Sequence, residues 1–501
     1  RLGFTRSCPN RAMKNQVQLI AYVDRLSGGG FRDLQLLLDG PFAGLFGGVH
    51  LLPFFWSIDG ADAGFDPIDH TKIDPRMGSW DDVRALAART DLMTDVIVNH
   101  ISTRFPQFED FRRRGETSPY AQMFLTYGRI FPHGAGEEDL LNIYRPRPGL
   151  PFTRMHFDDG RDRLIWTTFT PEQVDIDVLS SPGKAYLRQI LSEFHGAGIR
   201  AIRLDAAGYA IKRPGTSCFL IPETFDFIRG FSDEARARGM EVLVEIHTDY
   251  ERQIETAKQV DWVYDFALPP LILHSLYTRD ARHLKRWFEV SPRNAATVLD
   301  THDGIGVRDV AGLLAPGEID TLVETIDERS NGASRKATGA AANNLDLYQV
   351  NCTYYDALGQ RDEEYLIARA LQFFTPGVPQ VYYVGLLAGA NDLDLLHRTG
   401  SGRDINRHYY TRREIENDLA RPVVRALLDL IRFRNTHPAF AGGFRLLPSE
   451  NRVIRMEWRQ ERHWARLEAD LRTMSATIGY SQDGEERTLA VGPNTAIEGH
   501  A

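Results

Sequence analysis

Cysteine is scarce in this 501-residue chain: Cys8, Cys218 and Cys352 stand far apart and outside any CxxC or Cys/His cluster. Such spacing offers neither a disulfide framework nor a zinc site, and it leads us to expect a reducing, cytoplasmic setting. No apolar run approaches the length that spans a bilayer, so no membrane partner is expected. Lys/Arg tracts are missing too, and the formal charge is −9, a balance that argues against a nucleic-acid partner. A small, mostly neutral substrate fits this surface better. Internal repeats and low-complexity tracts are absent. The opening RLGFTRSCPNRA lacks an apolar signal core and precedes Met13, so residues 1–12 read as a leader or appended segment.

What is present is alternation. The chain is too long for one simple core, and from Met13 onward strand and helix candidates follow one another in the pattern of a parallel sheet with crossover helices. Strands are expected at 17–22, 48–52, 93–98, 199–204, 242–245, 262–264, 297–299 and 381–384, and eight is the number that closes a barrel. Intervening helices are expected at 80–88 after the cap Ser79, at 223–238 before Gly239, and at 363–374 before Pro376 and Gly377. Another, after Ser181 and Pro182, carries Tyr186, Leu187, Ile190, Leu191 and Phe194 at helical spacing. The expected fold is therefore α/β: a (β/α)8 TIM barrel over 13–100 and 181–437, with long insertions after strands 3 and 7. They occupy 101–180 and 304–361, and loops of that length are usually functional. Beyond His437 the pattern shortens to alternating stretches such as Ile454, Met456 and Trp458, which reads as a small β domain over 438–501.

The barrel is organised around GIRAIRLDAAGY, residues 198–209. Side chains two apart on a strand share a face, so Arg203 and Asp205 point together, and a guanidinium there is expected to hold the carboxylate ionised. An ordinary ion pair at a strand end would look the same. Other polar residues fall at neighbouring strand ends: Asp95 with Asn99 and His100, Glu245 with His247, and His302 with Asp303. In a parallel barrel all of these lie on one rim, where active sites of the fold are built. Each acid has a bland alternative as a capping or solvated side chain. Their coincidence at successive strand ends favours a site, and glycosyl transfer uses such a set as nucleophile, proton donor and stabiliser of positive charge.

DVIVNH (95–100), IRLDAAGYA (202–210), LVEIH (243–247) and LDTHDGIG (299–306) resemble the four signature regions of the α-amylase superfamily of glycoside hydrolases. Within it, the chain is most similar to the sucrose phosphorylase family, through GADAGFDPIDHTKID, IYRPRPGLPFT, GTSCF, NLDLYQVN, PGVPQVYYVG and GRDINRHYYT as well. The resemblance runs from Met13 to about Asn435; the part after about Phe440 matches only weakly, which leaves the extent of the β domain and any homodimer contact open. It implies a retaining double displacement on sucrose and inorganic phosphate, giving glucose 1-phosphate and fructose, with no metal or other cofactor. Asp205 matches the nucleophile, Glu245 the general acid/base and Asp303 the transition-state stabiliser. Arg203, His100 and His302 match residues that orient the nucleophile or bind the glucosyl ring. Asp62, Phe65, Gln173 and Arg403 match the rest of the substrate-binding set. Tyr144, Arg147, Asp346, Tyr348 and Gln349 match the loops that receive the acceptor, and a solvated basic loop around Arg147 is the plain alternative. Pro146 and Leu347 are neutral where a phosphorylated acceptor would call for basic residues, which favours unphosphorylated sucrose. The rivals are a phosphorylase for sucrose 6'-phosphate, glucosylglycerate or glucosylglycerol, a hydrolase or transglucosidase on sucrose or an α-glucan, and a non-catalytic sugar-binding barrel.

Overall fold

Short runs rich in Val, Leu, Ile and Ala, bounded by glycine or polar residues, pair side by side in the computed structural model, which describes residues 13–57, 62–146, 149–339 and 349–495. Eight of them close a parallel barrel in chain order. They are β1 (Gln18–Ala21), β2 (Gly48–Leu51), β3 (Asp91–Ile97), β4 (Ala201–Asp205), β5 (Glu241–Val244), β6 (Trp262–Asp265), β7 (Ala295–Thr297) and β8 (Val378–Tyr382). Strand β8 pairs with both β7 and β1, which completes the ring.

Two strands lie two to three residues earlier than the sequence predicts. The apolar run that begins at Ala295 continues to Leu299, but pairing stops at Thr297, where the chain leaves the sheet toward Asp300 and His302. Strand β8 starts at Val378, not Val381, because Pro379 sits inside it opposite Thr297. A proline reads as a strand breaker in sequence, since it cannot donate to the ladder. The helix before β4, Ser181–Gly196, is capped by the Ser180 side chain, which accepts from Gly183 N; the expectation had put the cap one residue later. Its five predicted apolar residues are all buried.

Helix Asp362–Phe374 fixes the strand ends that matter for the site. Gln372 Nε2 donates to the carbonyls of Thr297 and Gln380, both at 2.8 Å, tying β7 to β8. One turn back, the fully buried Arg369 reaches Asp300 Oδ2 at 2.7 Å. A charge removed from water needs a partner of opposite sign, so this pair holds the segment running from β7 to Asp303 in one place.

Residues 100–180 contain two antiparallel strand pairs, Phe152–His156 with Asp162–Trp166 and His100–Ser102 with Gln173–Asp175. They pack over an aromatic cluster in which the Phe111 ring stacks on Phe124 at 5.9 Å and meets Phe157 edge-on at 4.9 Å. After the barrel, β9 (Gly443–Leu446), β10 (Val453–Gln460), β11 (His463–Asp470), β12 (Ser475–Gln482) and β13 (Glu485–Val491) form an antiparallel meander. It is joined to the barrel through Trp458, whose Nε1 donates to Phe374 O at 2.8 Å.

Candidate active site

The rim at the carboxyl ends of β3, β4, β5 and β7 surrounds a pocket that opens to solvent. Its walls include Asp62, Phe65, His100, Asp205, Glu245, His302, Asp303 and Arg403. At its centre the register pairs Arg203 with Asp95 on β3 and with Leu243 on β5, Arg203 and Leu243 standing two residues before Asp205 and Glu245 respectively. From there Arg203 Nη1 reaches Asp95 Oδ1 at 2.5 Å and Asp205 Oδ1 at 2.9 Å, while Nη2 lies 3.7 Å from Glu245 Oε1. One buried guanidinium thus serves three carboxylates from three adjacent strands. Asp95 does not close β3 as expected: it lies inside the strand, fully buried, hydrogen-bonded to His50 Nε2 at 3.1 Å.

That sharing reverses one expectation about charge. Burial raises the Asp205 carboxyl well above the ordinary carboxylate range, and the neighbouring Glu245, Asp95 and Asp303 add to it, so Arg203 is outweighed. Glu245 shifts the other way: burial opposes its charge, but Arg203 and His247 hold it below its usual value. Arg203 thus pulls both carboxyls down, but burial wins at Asp205 and loses at Glu245. Asp303 is held far below the carboxylate range, against burial, by Arg403 at 3.0 Å and by Arg407 at 3.9 Å.

The backbone after Asp205 is unusual. Ala206 adopts a left-handed conformation with φ 54°, which costs a non-glycine residue on the order of 1 kcal/mol or more, and its N–H donates to Glu245 Oε2 at 3.2 Å. The strain aims the proposed acid/base toward the end of β4.

The histidines differ among themselves. His302 is buried and pushed down to about 3, so it is neutral, and it stacks on Phe65 at 4.4 Å with planes 7° apart. One face of the phenyl ring expected to cover a sugar is thus occupied by imidazole. His100 is also held neutral by burial and donates from Nε2 to Phe65 O at 3.0 Å, which fixes its tautomer. His247 is the opposite case: burial disfavours its charge, yet Asp309 at 3.1 Å from Nδ1 and Glu245 at 3.4 Å from Nε2 raise it well above the usual value and keep it an imidazolium. Gln173 stands behind the wall, 3.5 Å from Asp62 Oδ2 and from Phe65 O, so it orients the donor-side loop.

The far wall is aromatic. Tyr144 stacks on Phe219 at 4.5 Å and lies 6.1 Å from Tyr209, while Gln349 Nε2 is 3.3 Å from His247 Nε2. A Cβ on Gly208 would lie 2.7 Å from the Phe219 ring, so that position requires glycine. Arg147, Asp346, Leu347 and Tyr348 lie outside the described residues, whereas Pro146 lines the cavity. Lining residues without an assigned role in the sequence reading include Phe169, Tyr209, Phe219 and Arg308. Tyr209 and Phe219 were signalled by the AAGY and GTSCF stretches; nothing in the local pattern marks Arg308.

Oxygens of Glu245 and Asp303 and a ring nitrogen of His247 lie within 4.8 Å of one another, and among the described residues this is the set able to hold a metal ion. Arg203 and Arg403 already face these carboxylates, so an ion there would compete with fixed positive charge. Among the described residues no helix is long and apolar enough to cross a membrane.

Residues 45–421 match the family of alpha-amylase catalytic domains. The chain is 62% identical to a sucrose phosphorylase of Agrobacterium vitis, over 93% of this chain and 97% of that protein. It is 53% identical to a sucrose phosphorylase of Bifidobacterium adolescentis, over 91% and 92% of the two chains. Among solved structures, a sucrose 6F-phosphate phosphorylase from Thermoanaerobacter thermosaccharolyticum superposes with TM-score 0.91 at 38% identity, covering 97% of this chain and 99% of that one.

Proposed function

This chain belongs to the alpha-amylase family, and from that premise we propose that it is an enzyme of the sucrose phosphorylase type, which moves the glucosyl unit of sucrose to inorganic phosphate. The products are glucose 1-phosphate and fructose, and the reaction runs in both directions. The observation that carries this reading is the convergence of Asp205, Glu245 and Asp303 around Arg203 in one cavity.

In the first half-reaction Asp205 attacks the anomeric carbon and Glu245 gives a proton to the departing fructose oxygen, which leaves a covalent glucosyl ester. This needs the proton on Glu245 and the charge on Asp205, against the directions in which their surroundings shift the two groups. Positive charge growing at the anomeric carbon favours the ionised nucleophile beside it, and displacement of water strengthens that effect. Asp303, held ionised by Arg403, contributes negative charge toward the oxocarbenium-like transition state. In the second half-reaction phosphate oxygen attacks the same carbon, the bond to Asp205 breaks, and configuration is retained after two inversions. His100 and the Asp62–Arg403 pair, 3.6 Å apart, supply donors and acceptors for glucosyl hydroxyls.

Unphosphorylated sucrose is favoured because Pro146, on the cavity wall, brings no charge for a second phosphate group. Incubation with sucrose, with and without inorganic phosphate, tests the proposal. Glucose 1-phosphate formed only with phosphate, as the α anomer by proton NMR, is expected. Free glucose released at the same rate in both conditions would make the protein a hydrolase instead.

A further inference from the structure

A phosphate ion entering this cavity meets a wall that carries Asp62, Glu245 and Asp303. Like charges repel strongly in a partly desolvated site, so an anionic acceptor requires fixed positive charge on its own side. Two described arginines line the cavity, Arg403 and Arg308. Arg403 lies 3.0 Å from Asp303 and 3.6 Å from Asp62, so it belongs to the donor side and its charge is balanced there.

Arg308 stands elsewhere, in a short 3-10 turn, Arg308–Val310, that follows β7 by eleven residues. Its Nη1 donates to the Tyr144 hydroxyl at 3.1 Å, and its guanidinium carbon lies 5.2 Å from the centre of the Tyr144 ring. The contact places it on the aromatic, acceptor-side wall. The turn is anchored by the next residue. Asp309 is fully buried and accepts from His247 Nδ1 at 3.1 Å, Thr248 N at 3.2 Å and Gln253 Nε2 at 3.1 Å. A Cβ on Gly306 would lie 2.2 Å from Asp309 Oδ2, so glycine there lets the carboxylate reach the loop after β5. Arg308 is thereby held against the segment that carries Glu245 and the His247 imidazolium.

On the reading of the site as a glucosyl-to-phosphate transferase, we infer that Arg308 binds the acceptor phosphate and determines the preference for phosphate over water. A guanidinium presents paired donors that match phosphate oxygens, and the ring beneath it limits its freedom. In the step concerned, a bond forms between a phosphate oxygen and the anomeric carbon as the bond to Asp205 breaks. The electron pair returns to the Asp205 carboxylate, and any proton on the attacking oxygen passes to Glu245.

The test is steady-state phosphorolysis by R308Q and R308K beside the wild type, with both substrates varied and both products counted. R308Q is expected to raise the KM for phosphate at least about tenfold more than the KM for sucrose, as loss of a charge-assisted hydrogen bond implies. The share of free glucose among the products rises with it. R308K, which keeps the charge and loses the fork, falls between the two, and it serves as the decisive variant should R308Q not fold. Equal rises in both KM values would mean that Arg308 only braces Tyr144, and an unchanged phosphate KM in either variant would equally overturn the inference. A wild type that forms no glucose 1-phosphate would overturn the functional proposal and this inference together. Wild-type phosphorolysis with an indifferent R308Q overturns the inference alone.

Discussion

Replacing Glu245 by glutamine removes proton transfer while keeping the shape of the site. The amide has the shape of the carboxylate, so its oxygen still accepts from Ala206 N, now at 3.2 Å. What disappears is one negative charge, 3.7 Å from Arg203 and 3.4 Å from His247, together with the transferable proton. General acid catalysis contributes about 10²–10⁴-fold, or roughly 2.7–5.4 kcal/mol of barrier at 1.36 kcal/mol per decade. Sucrose, whose fructose must leave with a proton, is expected to lose that much in kcat/KM. α-Glucosyl fluoride, whose leaving group needs no proton, is expected to retain turnover within about tenfold when phosphate, itself an anionic nucleophile, is the acceptor. A second consequence follows from charge. Glu245 is among the groups that raise Asp205, so its neutralisation lowers the Asp205 pKa and moves the acid limb of the fluoride pH profile to lower pH. Asp205→Asn, which removes the nucleophile, should fail with both donors. Equal losses on sucrose and fluoride in Glu245→Gln, measured with folding checked by circular dichroism, would refute the assignment.

Arg147→Ala should raise the KM for phosphate more than that for sucrose, and equal effects would remove it from the acceptor site. Asp66, buried in the loop that carries Phe65, is pushed up to about 8 by burial and by Asp62. A carboxyl raised on folding binds its proton more tightly in the folded state, so it costs stability as pH rises from about 3.8 through 8. Asp66→Asn should therefore melt higher than the wild type at pH 8, with a gap that narrows on acidification; no gap, or one without pH dependence, would contradict this. His70 and His302 are both buried and lowered to about 3 from 6.5, and His70 Nε2 accepts from Ile97 N. The unfolded chain protonates these rings first, so stability should fall below pH 6.5 by up to about 1.4 kcal/mol per unit for each. Urea unfolding of the wild type and of a His70→Gln variant between pH 7 and 5 measures this, and identical slopes would exclude His70 as a source.

The barrel was legible because its signals are local. Short apolar runs between helical stretches name the strands, and a polar residue after each run falls on the rim whatever the rest of the chain does. Asp205, Glu245 and Asp303 could therefore be singled out before any contact was known. Pro379 inside β8 was not readable in the same way, because its tolerance depends on which neighbour it faces.

Charge was decided by the tertiary structure alone. The pairing of Arg203 with Asp205, two residues away, was visible in the chain, but the guanidinium is divided among Asp95, Asp205 and Glu245, and burial then raises Asp205 while Glu245 is held low. The same holds for His247, kept charged by Asp309 from a turn 62 residues later, and for Arg308, carried to the cavity wall by that turn. Backbone alternation is a property of adjacent residues and survives in a string of letters. Electrostatic energy depends on distance through space and on exclusion of water, and both exist only once β3, β4, β5 and the segment after β7 stand around one cavity.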